Sequence, residues 1–346
     1  MRAVTFDTLI TDLPWSRTRN VLPHHSAFFL SFTDGIGQVF KREGLQKDDT
    51  VLIPEFYCPD TAHALMTRMN VTFYKVHDDL TIDEDDFEKQ ISRVDPKAVI
   101  LYSFFGGSIP TRLYSLLRKD YPDILVIDDY AHRWLNGKTM KWHHPRHIYI
   151  DSIRKHTPFL GSHVVSEDAI GLTVASISAY SLTCHLLRAS ENVINALARV
   201  TGSERLREIG DSIFESLDSR IGQADKAAGG DIVAHVMWPY IDVKKVHEQL
   251  SVLKARYANN LRNPLAELIK KYDISYIPLR IEHSKMDTFI ETLGTKGIAA
   301  DQLWEYEAWM PARARRLYDS VVILPLTMAM STEDIDRMCE MIKHIL

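Results

Sequence analysis

Cysteine is scarce in this chain. There are only three, Cys58, Cys184 and Cys339, and they lie far apart. They form no CxxC pair, and an odd number builds no complete disulfide framework. A cysteine-rich secreted scaffold is excluded, and a reduced compartment is expected. A basic surplus is missing too: 41 Lys and Arg stand against 46 Asp and Glu, a formal net charge of -5. Neither nucleic acid nor an anionic membrane is therefore the expected main partner. The opening stretch MRAVTFDTLITDLPW contains Asp7 and Asp12 and no long apolar run. Neither a signal peptide nor a membrane span is read there, so the expected location is cytoplasmic. Repeats and low-complexity tracts are absent. His143, His144 and His147 crowd one polar stretch, but no second cluster completes a metal site, so a surface loop is expected and no metal.

What the sequence does contain is alternation. The chain of 346 residues is long enough for a large unit and a smaller one. Short apolar runs recur in the first half: Thr50 to Pro54, Val71 to Val76, Ala98 to Phe105, Ile124 to Ile127 and His147 to Ile150. Continuous apolar runs of this length suit strands buried on both faces, as in a mainly parallel sheet. Amphipathic stretches lie between them: Ile36 to Glu43 after the cap candidates Thr33 and Asp34, Thr61 to Met69, and Arg112 to Lys119. This order predicts an α/β sheet with right-handed crossovers. A long helical pattern follows from about Gly171 to Leu217. Near Trp238-Pro239-Tyr240 a smaller α/β unit begins. It has helix-like Val243 to Ile269, strand-like Ile274 to Ile281, helix-like Ser284 to Gly294, strand-like Val321 to Leu324 and a closing helix from Thr332. The expected division is residues 1–240 and 241–346.

Ligands of open α/β sheets bind beyond the carboxyl ends of the strands. Two chemical clusters stand there. After ILVI comes Asp128-Asp129-Tyr130-Ala131-His132, and after HIYI comes Asp151-Ser152-Ile153-Arg154-Lys155. Taken singly, an Asp-Asp pair is more often a cap, a lysine a solvated charge and a histidine structural. Taken jointly, they put a carboxylate, an imidazole, a hydroxyl and an amine at neighbouring strand tips.

These clusters carry a resemblance. The succession VLIPEFYCPDTAHAL, VTFYKVHDDLTIDEDDF, AVILYSFFGG, ILVIDDYAHRWL and IYIDSIRKHTPFLG resembles the DegT/DnrJ-type sugar aminotransferases, as do KGIAADQLW and VVILPLTMAMSTEDIDRMCEMIKHIL near the C-terminus. The likeness spans roughly residues 30 to 346. It is specific around Asp129 and Lys155 and loose from about 170 to 240.

The resemblance implies an aspartate-aminotransferase-like fold, with a seven-stranded-type sheet flanked by helices and a smaller C-terminal α/β domain. It implies pyridoxal 5'-phosphate as cofactor. Lys155 would hold the cofactor and then shuttle the proton, Asp129 would pair with the ring nitrogen, and His132 would stand by the phenolic oxygen, where many relatives have glutamine. Ser152 and the segment Ser31, Phe32, Thr33, Asp34 would receive the phosphate, with Phe32 where a glycine is usual. The place of the stacking aromatic falls near Cys58, and its neighbour Tyr57 is the residue expected to stack. Arg280 is a candidate clamp for a substrate carboxylate, and Tyr102 and Trp134 are candidates for lining the pocket. The implied partners are a small-molecule amino donor and a carbonyl acceptor, with a homodimer whose active site lies at the interface. Two other readings stay open at this point: a PLP-dependent lyase, desulfurase or condensing enzyme, and a non-catalytic binding protein on the same fold.

Overall fold

The computed structural model describes residues 8–17, 25–133, 140–155, 157–167, 178–221, 230–261, 265 and 276–346. Seven strands build the larger sheet: β1 (His25–Phe29), β2 (Thr50–Pro54), β3 (Asn70–Tyr74), β4 (Ala98–Tyr102), β5 (Leu125–Tyr130), β6 (His147–Asp151) and β7 (Ser162–Ser166). Their spatial order is β1-β7-β6-β5-β4-β2-β3. Strands β2 to β6 pair in parallel, and β7 runs antiparallel to both β6 and β1. The apolar runs behave as expected of doubly covered strands: every residue of β4 and of β6 is buried.

Crossover helices flank the sheet: α1 (Phe32–Arg42), α2 (Pro59–Met66), α3 (Glu84–Val94) and α4 (Thr111–Asp120). The start of α1 differs from the expected Thr33-Asp34 cap. Ser31 is the N-cap: its Oγ accepts from the Asp34 backbone N–H at 3.1 Å and donates to Asp34 Oδ2 at 2.7 Å. Two strands of the larger sheet went unread in the sequence. β1 (HSAFF) and β7 (SHVVS) are only five residues long and mix polar with apolar positions. Their burial comes from the neighbours they acquire in the sheet.

The long helical pattern is two helices, α5 (Ala179–Thr201) and α6 (Glu204–Ile221), parted at Gly202. Gly202 has φ +67, a left-handed cap that glycine adopts without strain. Residues 171–177 of that pattern lie outside the described residues. Next come the short α7 (Ile232–Met237) and α8 (Val243–Asn260). The smaller sheet is antiparallel, in the order β8 (Tyr276–Arg280), β10 (Val321–Pro325), β9 (Asp301–Gln302). Helices α9 (His283–Thr295) and α10 (Thr332–Ile345) complete this region, with a single helical turn at Arg315–Tyr318 between them. One apolar cluster joins both sheets, from Val51 and Ile127 to Leu279 and Val322.

Two arginines beside that turn lock it against the end of β2. Glu55 is 1% exposed, and its carboxylate meets Arg313 and, at 3.7 Å, Arg316. A carboxylate buried so deeply needs such partners. Tyr318 reinforces the junction: its hydroxyl donates to the Tyr57 carbonyl at 2.8 Å and accepts from the Tyr57 N–H at 2.9 Å.

Candidate active site

Strand β5 continues through the two aspartates instead of stopping before them. Side chains alternate along a strand, so Asp128 and Asp129 go to opposite faces. Asp128 meets Tyr114 Oη at 2.5 Å and His147 Nε2 at 3.2 Å beneath α4. Asp129 faces a cleft. It is 2% exposed, its Oδ2 accepts from the Tyr57 hydroxyl at 2.6 Å, and its Oδ1 accepts from the Ala131 N–H at 2.8 Å. Burial pushes its carboxyl up to about 7, although the Tyr57 and Ala131 hydrogen bonds and the nearby Lys155 favour the anion.

Lys155 closes a 3-10 turn, Ile153–Lys155, just past β6. Asp129 pairs with Ile150 of β6, so the amine and the carboxylate come from adjacent parallel strands. Burial pulls Lys155 down to about 8, and Arg154 works in the same direction. Its Nζ lies 2.9 Å from His132 Nε2 and 5.8 Å from the centre of the Tyr276 ring.

His132 is 0% exposed and sits behind the cleft wall. Its Nδ1 is 2.5 Å from the Tyr102 hydroxyl. Phe105 stacks on it at 5.0 Å and 22°, and Trp304 lies on it at 6.1 Å and 17°. Phe105 holds φ +49, the left-handed region, in the turn after β4. A non-glycine residue there costs about 1 kcal/mol, and the rigid aromatic wall against His132 is what the turn produces.

This contact sequence couples two proton positions. A charged Lys155 donates to His132 Nε2, so Nδ1 carries hydrogen and donates to the Tyr102 oxygen. A neutral Lys155 accepts from Nε2–H, and the Tyr102 hydroxyl donates to Nδ1. Burial holds the Tyr102 phenol well above its usual range, so it stays protonated in both states.

The cleft encloses about 650 Å³, counting its mouth. Of the residues singled out in the sequence, it brings together Ser31, Thr33, Tyr57, Tyr102, Asp129, Ser152 and Lys155. His132 reaches Lys155 from behind. Asp34 does not line the cleft; its carboxylate is spent on the α1 cap. Tyr57 stands edge-on to Tyr102 at 5.5 Å and 81°, with its hydroxyl on Asp129, so it anchors the carboxylate. Cys58, at the N-cap of α2, lines the cleft beside it.

Arg280 is a correction. It lies at the end of β8 and donates to the Asp78 carbonyl at 3.0 Å, beside a separate groove with Arg316 and Asp319. Its register in the small sheet carries it away from the cleft. Trp134 lies outside the described residues. Sequence reasoning missed Asp218 and Trp304 as cleft-lining residues and gave Arg154 no contact of its own there. Asp218 and Trp304 come from a helix and a loop whose approach depends on tertiary packing. Arg154 was legible only as a neighbour of Lys155.

Among the described residues no group of His, Cys, Asp and Glu is placed to hold a metal, and no helix is long and apolar enough to cross a membrane. No family model matches the sequence, and no curated protein matches it. Solved structures do match. DesV of S. venezuelae is 15% identical, with a TM-score of 0.62 over 93% of this chain and 85% of that one. A DegT DnrJ EryC1 StrS aminotransferase from Brucella abortus is 14% identical, with a TM-score of 0.61 over 93% of this chain and 86% of that one. NtdA from Bacillus subtilis, with bound cofactor PMP, is 14% identical, with a TM-score of 0.59 over 93% and 73%. The chain therefore has the fold of the DegT/DnrJ/EryC1/StrS aminotransferases, with a seven-stranded sheet that holds Asp129 and Lys155 at one cleft.

Proposed function

We propose that this protein is a pyridoxal-phosphate-dependent aminotransferase that moves an amino group from an amino-acid donor to a keto or aldehyde acceptor. One observation carries the reading: a buried carboxylate and a half-buried amine, Asp129 on β5 and Lys155 on the turn just past the adjacent parallel β6, line the same cleft. The fold supports it, and the PMP bound to a protein of that fold supports the cofactor.

The residues present suit that cofactor by their chemistry. Asp129 offers an anion to a protonated ring nitrogen, with Tyr57 and Ala131 fixing its orientation. Lys155 offers an amine, and His132 a hydrogen-bonding group beside it. Ser31, Thr33 and Ser152 offer hydroxyls along the wall. When bound, pyridoxal phosphate supplies a ring that takes up the electrons left on a substrate carbon after proton loss. Lys155 removes that proton and returns it; near neutral pH an amine pulled down to about 8 is present in both forms. His132 receives and returns hydrogen at Nε2, and Tyr102 steadies it at Nδ1. A homodimer with the cleft at its interface completes the proposal.

The test is a half-reaction. Loaded protein is mixed with single amino acids under anaerobic conditions. One equivalent of the matching 2-oxo acid and one of pyridoxamine phosphate are expected from at least one donor. Release of ammonia, sulfide or carbon dioxide without pyridoxamine phosphate would refute amino transfer.

The relay gives a second expectation. His132→Gln keeps a hydrogen-bonding group toward Lys155 and should retain more than about a tenth of kcat, whereas His132→Leu should lose about 100-fold. Without the Nε2 acceptor, the ammonium of Lys155 loses support. Its apparent pKa, read from pH-dependent amine labelling of the apo-protein, should fall further in the leucine variant. An unchanged labelling profile in His132→Leu would break the relay.

A further inference from the structure

Beside Lys155 the cleft has a second cation, and the proposed roles above do not use it. Arg154 lines the cleft, and its Nη1 lies 2.7 Å from Asp218 Oδ1 on α6. The pair is neither surface nor core: the side chains are 32% and 41% exposed. Asp218, and Ile221 one turn later, both line the cleft. Ile221 and Leu217 also pack with Leu30, the residue before the Ser31 cap. The last turn of α6 therefore lies against the start of α1, and Arg154 reaches it from the turn after β6.

The hydroxyls sit in the same cleft. Thr33 and Ser152 line it, and neither hydroxyl takes a hydrogen bond from the described residues. Ser152 is only 2% exposed. A buried hydroxyl without a protein partner, facing a cavity, points to a ligand that supplies one. The charge balance says which kind. Asp34 puts a carboxylate in the first turn of α1, where it offsets the positive end of the helix. A dianion held there by hydroxyls and helix alone would have a helix end already offset by that carboxylate, and it would face Asp218. It needs a cation, and a guanidinium presents the paired donors that suit an oxyanion.

We propose that Arg154 is the phosphate-binding cation of this cleft, and that Asp218 is the counter-ion from which the ligand's phosphate draws it. This rests on the cofactor reading above. A phosphate and the carboxylate of an amino donor share oxyanion chemistry, and the cleft assigns Arg154 to the phosphate because the unpartnered hydroxyls accompany it.

The experiment uses apo-protein and reads equilibrium binding of pyridoxamine phosphate and of pyridoxamine by quenching of tryptophan fluorescence, since Trp304 lines the cleft. Arg154→Gln should weaken pyridoxamine phosphate about 30-fold and leave pyridoxamine unchanged, and Arg154→Lys should fall between. Asp218→Asn should move the other way and tighten pyridoxamine phosphate about threefold, because its competitor for Arg154 is gone. A merely structural ion pair would instead lose affinity for both compounds in both variants. The inference is overturned if Arg154→Gln keeps the wild-type ratio of the two affinities. An unchanged ratio with a raised KM for the amino donor would move Arg154 to the substrate carboxylate and likewise overturn it. If wild-type protein binds neither compound, the cofactor reading itself falls, and this inference with it.

Discussion

Lys155→Ala is expected to reduce amino transfer at least about 10⁴-fold while the protein becomes more stable. Catalysis falls because Lys155 is the sole lysine lining the cleft among the described residues. Among the described residues no other amine is placed to move a proton at the substrate carbon. Stability rises for an electrostatic reason. Burial lowers the folded pKa from 10.5 to about 8. Below about pH 8 the ammonium is present in both folded and unfolded chains, and the folded one bears the full desolvation cost. Between about 8 and 10.5 the unfolded chain binds the proton and the folded chain does not, so wild-type stability rises with pH and the cost fades. Alanine removes it at all pH. Apo Lys155→Ala should thus exceed wild type by on the order of 2 kcal/mol at pH 7 and lose part of that advantage by pH 10. Denaturant titration at the two pH values checks the sign. A variant less stable than wild type at pH 7 would mean that packing of the lysine stem outweighs the buried charge.

Asp129→Asn gives the second large effect. The amide keeps the size of the carboxylate; its one oxygen can still accept from the Ala131 N–H, while its NH2 can donate to the Tyr57 hydroxyl oxygen. It does not stabilise a proton on a ring nitrogen. The expected result is a fall in kcat of about 10³-fold, with a smaller change in cofactor affinity. Here the pH dependence of stability has the opposite sense. Burial raises Asp129 from 3.8 to about 7. Between these values the folded chain holds a proton that the unfolded chain does not, so stability declines as pH rises and the cost is complete above about 7. Apo Asp129→Asn should therefore exceed wild type by on the order of 2 kcal/mol at pH 8 and converge with it near pH 4. Convergence at pH 8 would show that Tyr57 and Ala131 already compensate the buried anion in full.

Lys155 and Asp129 together describe a site bought with stability: near pH 7 to 8 the empty fold keeps two groups in charge states that burial disfavours. They were also the most legible part of the sequence. Doubly buried parallel strands read as plain apolar runs, so the polar residues at their tips stood out, and β2, β4, β5 and β6 fell close to their expected places. The choice between Asp128 and Asp129 becomes physical once β5 is seen to continue through both, because alternation then sends one to each face.

Other parts were illegible for equally physical reasons. β1 and β7 are short, and their burial is conferred by the strands beside them. Arg280 had the right chemistry for a clamp, but the register of β8 with β10 sets it beside Asp78. The bond from the Tyr57 hydroxyl to the carboxylate 72 positions along the chain was not legible either, because no local pattern links the two. Asp218 and Trp304 reach the cleft only through the packing of α6 and of the loop after β9, contacts that no local pattern records.

Borohydride trapping gives the most direct test of Lys155 as the cofactor-binding amine. Protein incubated with pyridoxal phosphate and reduced with borohydride should carry one phosphopyridoxyl group, and peptide mass spectrometry should place it on Lys155, with none there in Lys155→Ala. A label scattered over surface lysines, with Lys155 unmodified, would contradict that role.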